Sequence, residues 1–404
     1  LSTPLLIFGD APDQHSGLSR ILRDLCLITS TLPEFRVGSF GRGALGSSRF
    51  PWPQYSFNDQ GDQWGEHKLQ KCWRDFTQGA GTDKGQILTV WDASRLLWFT
   101  GLQSVGDPEL DVFLGANRTF RKWGYFMVDG TGPDGLTLPT ESRVIMQSYD
   151  RVVVASEWAA QVARRSGVDC EWIPHPIDGD KFKWHNSTIF CRHDARERLE
   201  VADQIVAGCV MTNQARKDWP TAFATAALLA KIYKSRFLFW VHTDSPAFTP
   251  GSYWNLHALA ADYNLPPECL RITLTGTYTD SMMAAFYNAC DATILCSGGE
   301  GFGYPIAESM ACGCPCITQD WAAGAELTHE EWRVPVHAFK LETSHNVLRA
   351  VHSPYIWAKK LEEAIEMGLV EGDEWRREIA QGIEHLHMKK LKSVWKRWLV
   401  EGLR

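Results

Sequence analysis

A chain of 404 residues is long enough for about two domains, each burying its own core. With 44% apolar and 22% charged residues it has the composition of a soluble globular protein, and its net charge of −7 excludes a global attraction to nucleic acid or anionic lipid, though not a local basic patch. No run approaches the ~18 uninterrupted apolar residues of a membrane span, and the apolar stretch 4–8 is too short for a signal core, so a soluble cytoplasmic protein is expected.

Residues 5–8 read as the first strand, and Gly17 lies in the turn before an amphipathic helix over 18–29. Leu18, Ile21, Leu22, Leu25 and Ile28 mark the buried stripe of that helix. A strand, a glycine turn and a helix form the opening unit of an open α/β sheet, whose ligands lie at the carboxyl ends of strands. Gly41, Gly43 and Gly46 fit the G-x-G-x-x-G spacing after a strand over 35–40. Pro51 and Pro53 arrive too soon for the helix that a dinucleotide site needs, so a loop is expected instead. Strands are expected over 86–91 and 125–128, each followed or closed by an aspartate, Asp92 and Asp129. A helix over 140–147 and a strand over 151–155 follow, and Ser156 has the side chain of an N-cap for the next helix. Residues 171–182, with Pro174 and Pro176 around His175, read as an interdomain crossing. Asp178 and Asp180 match an Asp-x-Asp metal pattern only superficially, because prolines rather than an apolar strand precede them.

The second half opens with a strand over 205–211, then Arg216 and Lys217, then a helix over 222–233. Strands over 237–242 and 270–274 and a helix over 281–288 lead to the most informative stretch. Residues 292–296 form a short apolar strand; Gly298, Gly299, Gly301 and Gly303 follow within six positions and surround Glu300. Pro305 suits the first turn of a helix that Gly313 ends, and the next strand begins at 314–318. Glycines let a backbone approach a ligand, and a helix start offers unpaired N–H groups and partial positive charge, which suits a phosphate. Glu300 and Glu308, on either side of that turn, are placed to accept hydrogen bonds from hydroxyls. Cys312, Cys314 and Cys316 lack the Cys-x2-Cys spacing of zinc sites and read as buried packing, and all 11 cysteines read as free thiols of a reducing compartment. Helices are expected over 355–367 and 374–385. Residues 388–404 are amphipathic, with Leu391, Val394, Trp395, Trp398 and Leu399 on one face. That face suits packing on the first domain or, alternatively, a membrane surface.

The string from Glu300 to Glu308, with the helix exit at 311–315, resembles the E-x7-E motif of retaining glycosyltransferases of the GT-B fold, family-4 type. The segment Tyr125 to Gly130 is similar to a YFPVDG-like segment of the same family. The resemblance covers most of the chain and implies an α/β architecture of two Rossmann-like domains facing each other across a cleft. An acceptor-side domain would span 1–175, joined by a returning helix at 386–404, and a nucleotide-sugar domain 176–385. It further implies transfer of a hexosyl or pentosyl group from a nucleoside-diphosphate sugar, UDP or GDP type, with no separate cofactor and no metal. By the same resemblance Glu300 would hold the donor sugar, Glu308 the ribose, and Gly301, Phe302 and Gly303 with Arg216 and Lys217 the diphosphate. Thr277 and Tyr278 would receive the base. Gly17, with Asp13, His15 and Ser16, would face the sugar and acceptor, and Asp129 would touch either one; a surface loop and a turn cap are the alternative readings of these residues.

The acceptor expected from the family is a glycan or a lipid-linked sugar. Phage-type relatives suggest DNA carrying hydroxymethylated pyrimidine instead, for which Arg42, Arg49, Lys68, Lys71 and Arg74 would offset the acidic total. A non-catalytic sugar-nucleotide-binding protein is the third reading.

Overall fold

A computed structural model describes residues 2–44, 50–57, 61–102, 106–184, 186–187, 190–247, 252–343 and 345–404. The chain divides into two compact units. One comprises Leu1–Pro176 with Thr343–Val347 and Lys389–Arg404, the other Ile177–Glu342 with Leu348–Met388. Arg49 and Gly46 lie outside the described residues.

The first unit is a parallel sheet of β1 (Thr3–Asp10), β2 (Phe35–Arg42), β3 (Gln54–Phe57), β4 (Gly85–Trp91), β5 (Phe120–Phe126), β6 (Arg151–Val154) and β7 (Glu171–Trp172). Its strand order is β3-β2-β1-β4-β5-β6-β7, with every neighbour parallel. The chain therefore winds outward through β2 and β3, returns to the other side of β1, and continues outward. That reversal between β1 and β4 is the topological switch point of an open α/β sheet. Helices α1 (Gly17–Ser30), α2 (Leu69–Gln78), α3 (Pro108–Leu114), α4 (Thr140–Gln147) and α5 (Glu157–Arg165) connect the strands. Every residue of β4 is buried, as expected of a central strand covered on both faces. Phe8, Phe40, Phe57, Trp91 and Phe99 make an aromatic centre, Phe8 lying 5.2 Å from Phe40 and 5.1 Å from Trp91.

Strand β5 departs from the expected 125–128. The strand starts at Phe120 rather than 125 and ends before Asp129. Arg121 and Lys122 disguise its beginning. Lys122 is nonetheless buried, and its ammonium donates to the carbonyls of Phe99 and Thr100, the latter at 2.9 Å. Burial brings its pKa down to about 8. Gly41 is explained by the fold and not by a nucleotide: a Cβ there would sit 2.5 Å from the Cα of Ala11, so only glycine lets the two backbones pass.

The second unit begins with a short antiparallel pair, β8 (Asn186–Ser187) and β9 (Phe190–Cys191), and helix α6 (Arg192–Arg198). Its main sheet contains β10 (Ile205–Val210), β11 (Phe237–Thr243), β12 (Leu270–Leu274), β13 (Ala292–Leu295), β14 (Cys316–Gln319) and β15 (Arg333–Val334). The order is β12-β11-β10-β13-β14-β15, again parallel throughout, with the switch point between β10 and β13. Helices α7 (Trp219–Tyr233), α8 (Leu256–Asp262), α9 (Asp280–Ala289) and α10 (Tyr304–Ala311) fill the crossovers, and β16 (Ala338–Glu342) pairs with β17 (Val347–Val351). The two helices expected over 355–385 form one element, α11 (Pro354–Gly382), broken at Gly372 by a φ of 67°. All eleven cysteines are free thiols; Cys312, Cys314 and Cys316 are buried, and burial pushes each thiol up, that of Cys316 to about 12. Asp178 is taken up locally, accepting from the Asp180 N–H at 3.1 Å and pairing with Lys181 at 3.4 Å.

Helix α12 (Met388–Glu401) belongs to the first unit apart from its first residue. Its Trp398 meets Trp123 of β5 edge-on at 5.5 Å, and Trp395 meets Tyr125 at 4.8 Å. Arg121 donates to the Gly402 carbonyl at 2.7 Å, and Arg151 to that of Trp398. The apolar face is thus consumed by the sheet, and the membrane-surface alternative loses the surface it needs. Among the described residues no helix is long and apolar enough to cross a membrane.

Candidate active site

In the second unit, two loops leave the carboxyl ends of β10 and β13, the adjacent strands at the switch point. The first runs from Met211 to Asp218, where the Asp218 carboxylate caps α7 by accepting from the Thr221 N–H at 3.2 Å. The second runs from Cys296 to Gly303, which adopts φ 109° immediately before α10. A side chain there would be strained and would also crowd Ile306, 2.9 Å from an added Cβ. Backbone bonds stitch the two loops together. Gly298 N–H donates to Arg216 O at 2.8 Å, and Asp218 N–H to Cys296 O at 3.0 Å. On the far side of the second loop, Ala350 N–H of β17 donates to Gly298 O at 2.9 Å.

This stitching delivers two cations to one carboxylate. Arg216 Nη1 lies 2.7 Å from Glu300 Oε1 and also donates to Gly299 O at 2.9 Å. Lys217 Nζ donates to the same Glu300 oxygen. The side chains of Lys217 and Glu300 are each 6% exposed, whereas that of Arg216 is 25% exposed. Burial raises the Glu300 carboxyl, but the Arg216 guanidinium and the Lys217 ammonium outweigh it and hold the group down at about 2. Two positive charges and one negative charge at the start of a helix make a site that still favours an anion. Gly301, Phe302 and Gly303 supply the backbone between that carboxylate and α10, and Phe302 packs 5.5 Å from Tyr304.

Glu308, on α10, is buried, and its Oε2 accepts from the Tyr287 hydroxyl of α9 at 3.0 Å. A carboxylate oriented by an internal phenol can still accept hydroxyls with its remaining lone pairs. Thr277 and Tyr278 follow β12, with Thr277 exposed and Tyr278 half-buried. The Tyr278 ring lies 5.2 Å from that of His242, at the carboxyl end of β11. His242 Nδ1 is 3.0 Å from Thr273 Oγ1, and burial lowers its pKa to about 4, so the imidazole is neutral at pH 7.

Asp129 and Gly17 belong to the first unit. Asp129 follows the carboxyl end of β5 by three residues and is half-buried. Gly17 is the first residue of α1, whose cap Ser16 accepts from Ser19 N–H at 3.0 Å and donates to Asp10 Oδ2 at 3.1 Å. Asp13 is buried and His15 exposed. Arg42 lies over the ring of Trp64, and Arg74 is 3.9 Å from Glu109, while Lys68 and Lys71 are exposed. Sequence reasoning missed Ser297, Tyr287 and His242 as neighbours of the site. Only the position of Ser297 beside the glycines carried a local signal; the other two come from distant elements.

Comparison with known proteins bears on this arrangement. Residues 215–364, which contain Arg216, Lys217 and the whole second loop, match the family described as glycosyl transferases group 1. A 57-residue stretch is 44% identical to uncharacterized glycosyltransferase 335 of Sulfolobus islandicus rod-shaped virus 1, covering 14% of this chain and 17% of that relative. Among solved structures the chain is similar to sucrose-phosphate synthase from Thermosynechococcus elongatus, with a TM-score of 0.70 at 17% identity over 99% of both chains. It is also similar to HepE from Anabaena in complex with UDP, with a TM-score of 0.67 at 16% identity over 99% of this chain and 100% of that one. The two parallel Rossmann-type sheets are those of the GT-B glycosyltransferase structures.

Proposed function

We propose that this chain is a glycosyltransferase that moves a sugar from a nucleoside-diphosphate sugar to an acceptor hydroxyl with retention of anomeric configuration, in the manner of the family-4 type. The observation that carries the reading is the convergence of Arg216, Lys217 and Glu300 at the start of α10, on the switch point of the second sheet. That HepE was solved with UDP and with UDP-glucose supports a uridine donor.

The donor diphosphate lies against Arg216, Lys217 and the Gly301–Gly303 backbone. Glu308 holds the ribose hydroxyls, Glu300 the hydroxyls of the donor sugar, and the loop of Thr277 and Tyr278 receives the base. In the transfer, the bond from the anomeric carbon to the diphosphate oxygen breaks and a bond to the acceptor oxygen forms. The acceptor proton passes to the departing phosphate oxygen. Negative charge grows on that oxygen during the step, so fixed cations beside it stabilise the transition state more than the ground state. These side-chain cations serve in place of a divalent metal. The first unit, with Gly17 and Asp129 at its strand ends, takes the acceptor.

Calorimetric titration with UDP and GDP in EDTA, followed by release of labelled sugar from the matching donor, tests the reading. Binding of one nucleotide without metal is expected, and failure of both to bind refutes it.

A further inference from the structure

The turn that carries Arg216 and Lys217 is rooted on one side chain, Asn213, which follows β10 and is fully buried. Its carboxamide donates to the carbonyls of Ser245 at 2.9 Å and Trp254 at 2.7 Å. Its side-chain oxygen accepts from the N–H groups of Tyr253 at 3.2 Å and Trp254 at 2.8 Å. The backbone of Asn213 is engaged as well. Its N–H donates to Asp244 Oδ1 at 2.6 Å, and its carbonyl accepts from Tyr253 N–H at 3.1 Å. All these partners lie between β11 and α8. Beyond Asn213 the turn closes where Lys217 N–H donates to Gln214 O at 3.1 Å. The end of β11 is tied in its turn to the end of β12, because Thr275 N–H donates to Thr243 O at 2.7 Å, just before Thr277 and Tyr278. A continuous run of hydrogen bonds and short chain segments thus leads from the cations, through Asn213 and the β11 loop, to the loop after β12.

We propose that Asn213 is a positioning residue that fixes the spacing between the nucleoside end and the diphosphate end of the donor site; this rests on the reading of the second unit as the nucleotide-sugar site. Both amide hydrogens and both lone pairs of its side chain are used internally, so none is left for a ligand. Asn213 therefore acts only through the loops it ties. The tie is stiff, because any other arrangement would leave buried carbonyls and N–H groups without partners. A ligand that bridges two subsites gains from both only when their spacing matches its own length, whereas each half of that ligand is indifferent to the spacing. A tie that served folding alone would affect the whole ligand and its halves alike.

The test uses the full chain with UDP, uridine and pyrophosphate as probes. Asn213→Asp keeps the shape of the side chain but sets a carboxylate against the carbonyls of Ser245 and Trp254, where the native amide donates. It should weaken UDP about tenfold or more and leave uridine and pyrophosphate each within about twofold. A folded variant that binds UDP as the native chain does overturns the proposal. So does a loss shared equally by UDP, uridine and pyrophosphate, which is the mark of a merely structural tie. If Asn213→Asp does not fold, Asp244→Ala, which removes the acceptor of the Asn213 N–H, is read by the same criteria. The native chain gives an independent check by amide hydrogen exchange. Pyrophosphate alone, held by the turn of Arg216 and Lys217, should slow exchange at Tyr253 and Trp254, and exchange that it leaves unchanged overturns the proposal. Failure of UDP to bind the native chain refutes the parent reading instead and is seen before any variant is made.

Discussion

Replacing Glu300 with glutamine separates its electrostatic work from its shape. In the native chain its carboxyl is held at about 2 against an ordinary 4.5, because it answers both Arg216 and Lys217. That difference corresponds to on the order of 3 kcal/mol of ion pairing at neutral pH. The folded value is the lower one, so this stability is fully present above about 4.5 and is lost as pH falls toward about 2. Glu300→Gln removes it at pH 7 and leaves buried Lys217 beside a neutral amide, a change that costs about 3–5 kcal/mol where no charge moves to compensate. Urea unfolding followed by tryptophan fluorescence should therefore show the variant about 3 kcal/mol less stable at pH 7, with the gap closing in acid. Nucleotide binding should move the other way. Freed from their carboxylate, the two cations turn to the diphosphate, and UDP should bind at least as tightly as to the native chain. Sugar transfer should fall by about 100-fold or more, because the donor sugar loses an orienting acceptor and the charge balance of the site shifts. A folded variant that binds UDP more than about tenfold weaker would refute the reasoning, because Glu300 would then be supporting the phosphate site rather than competing for its cations.

Glu308→Ala should weaken UDP by about tenfold through the lost ribose contacts, and Tyr287→Phe by less, since it only frees one carboxylate oxygen; titration calorimetry on both distinguishes them. Trp395→Ala should cost about 3–5 kcal/mol, measured by urea unfolding, because the indole is fully buried against Tyr125. Lys122 has its pKa lowered from 10.5 to about 8, so the unfolded chain binds the extra proton between those values and stability should rise with pH across that window. Lys122→Met should flatten the rise, and an unchanged pH profile would show that the ammonium does not titrate there.

Much of the site was readable locally because its signals are short-range. The glycines around Glu300, Pro305 in the first turn and the eight-residue step to Glu308 all lie in one strand–loop–helix unit, where spacing alone sets geometry. The α12 stripe was equally plain from its helical period, though not which surface would cover it. What the tertiary structure decided depends on which strands become neighbours. Arg216 and Lys217 reach Glu300 only because β10 lies beside β13, with β11 and β12 placed on the other side of β10. Nothing in either segment's periodicity encodes that adjacency. Lys122 shows the converse: its charge hid the start of β5, because the carbonyls of Phe99 and Thr100 that make its burial tolerable come from a distant turn. The residue types and local turns were set by the sequence; the partners that give Glu300 and Lys122 their chemistry were set by strand order.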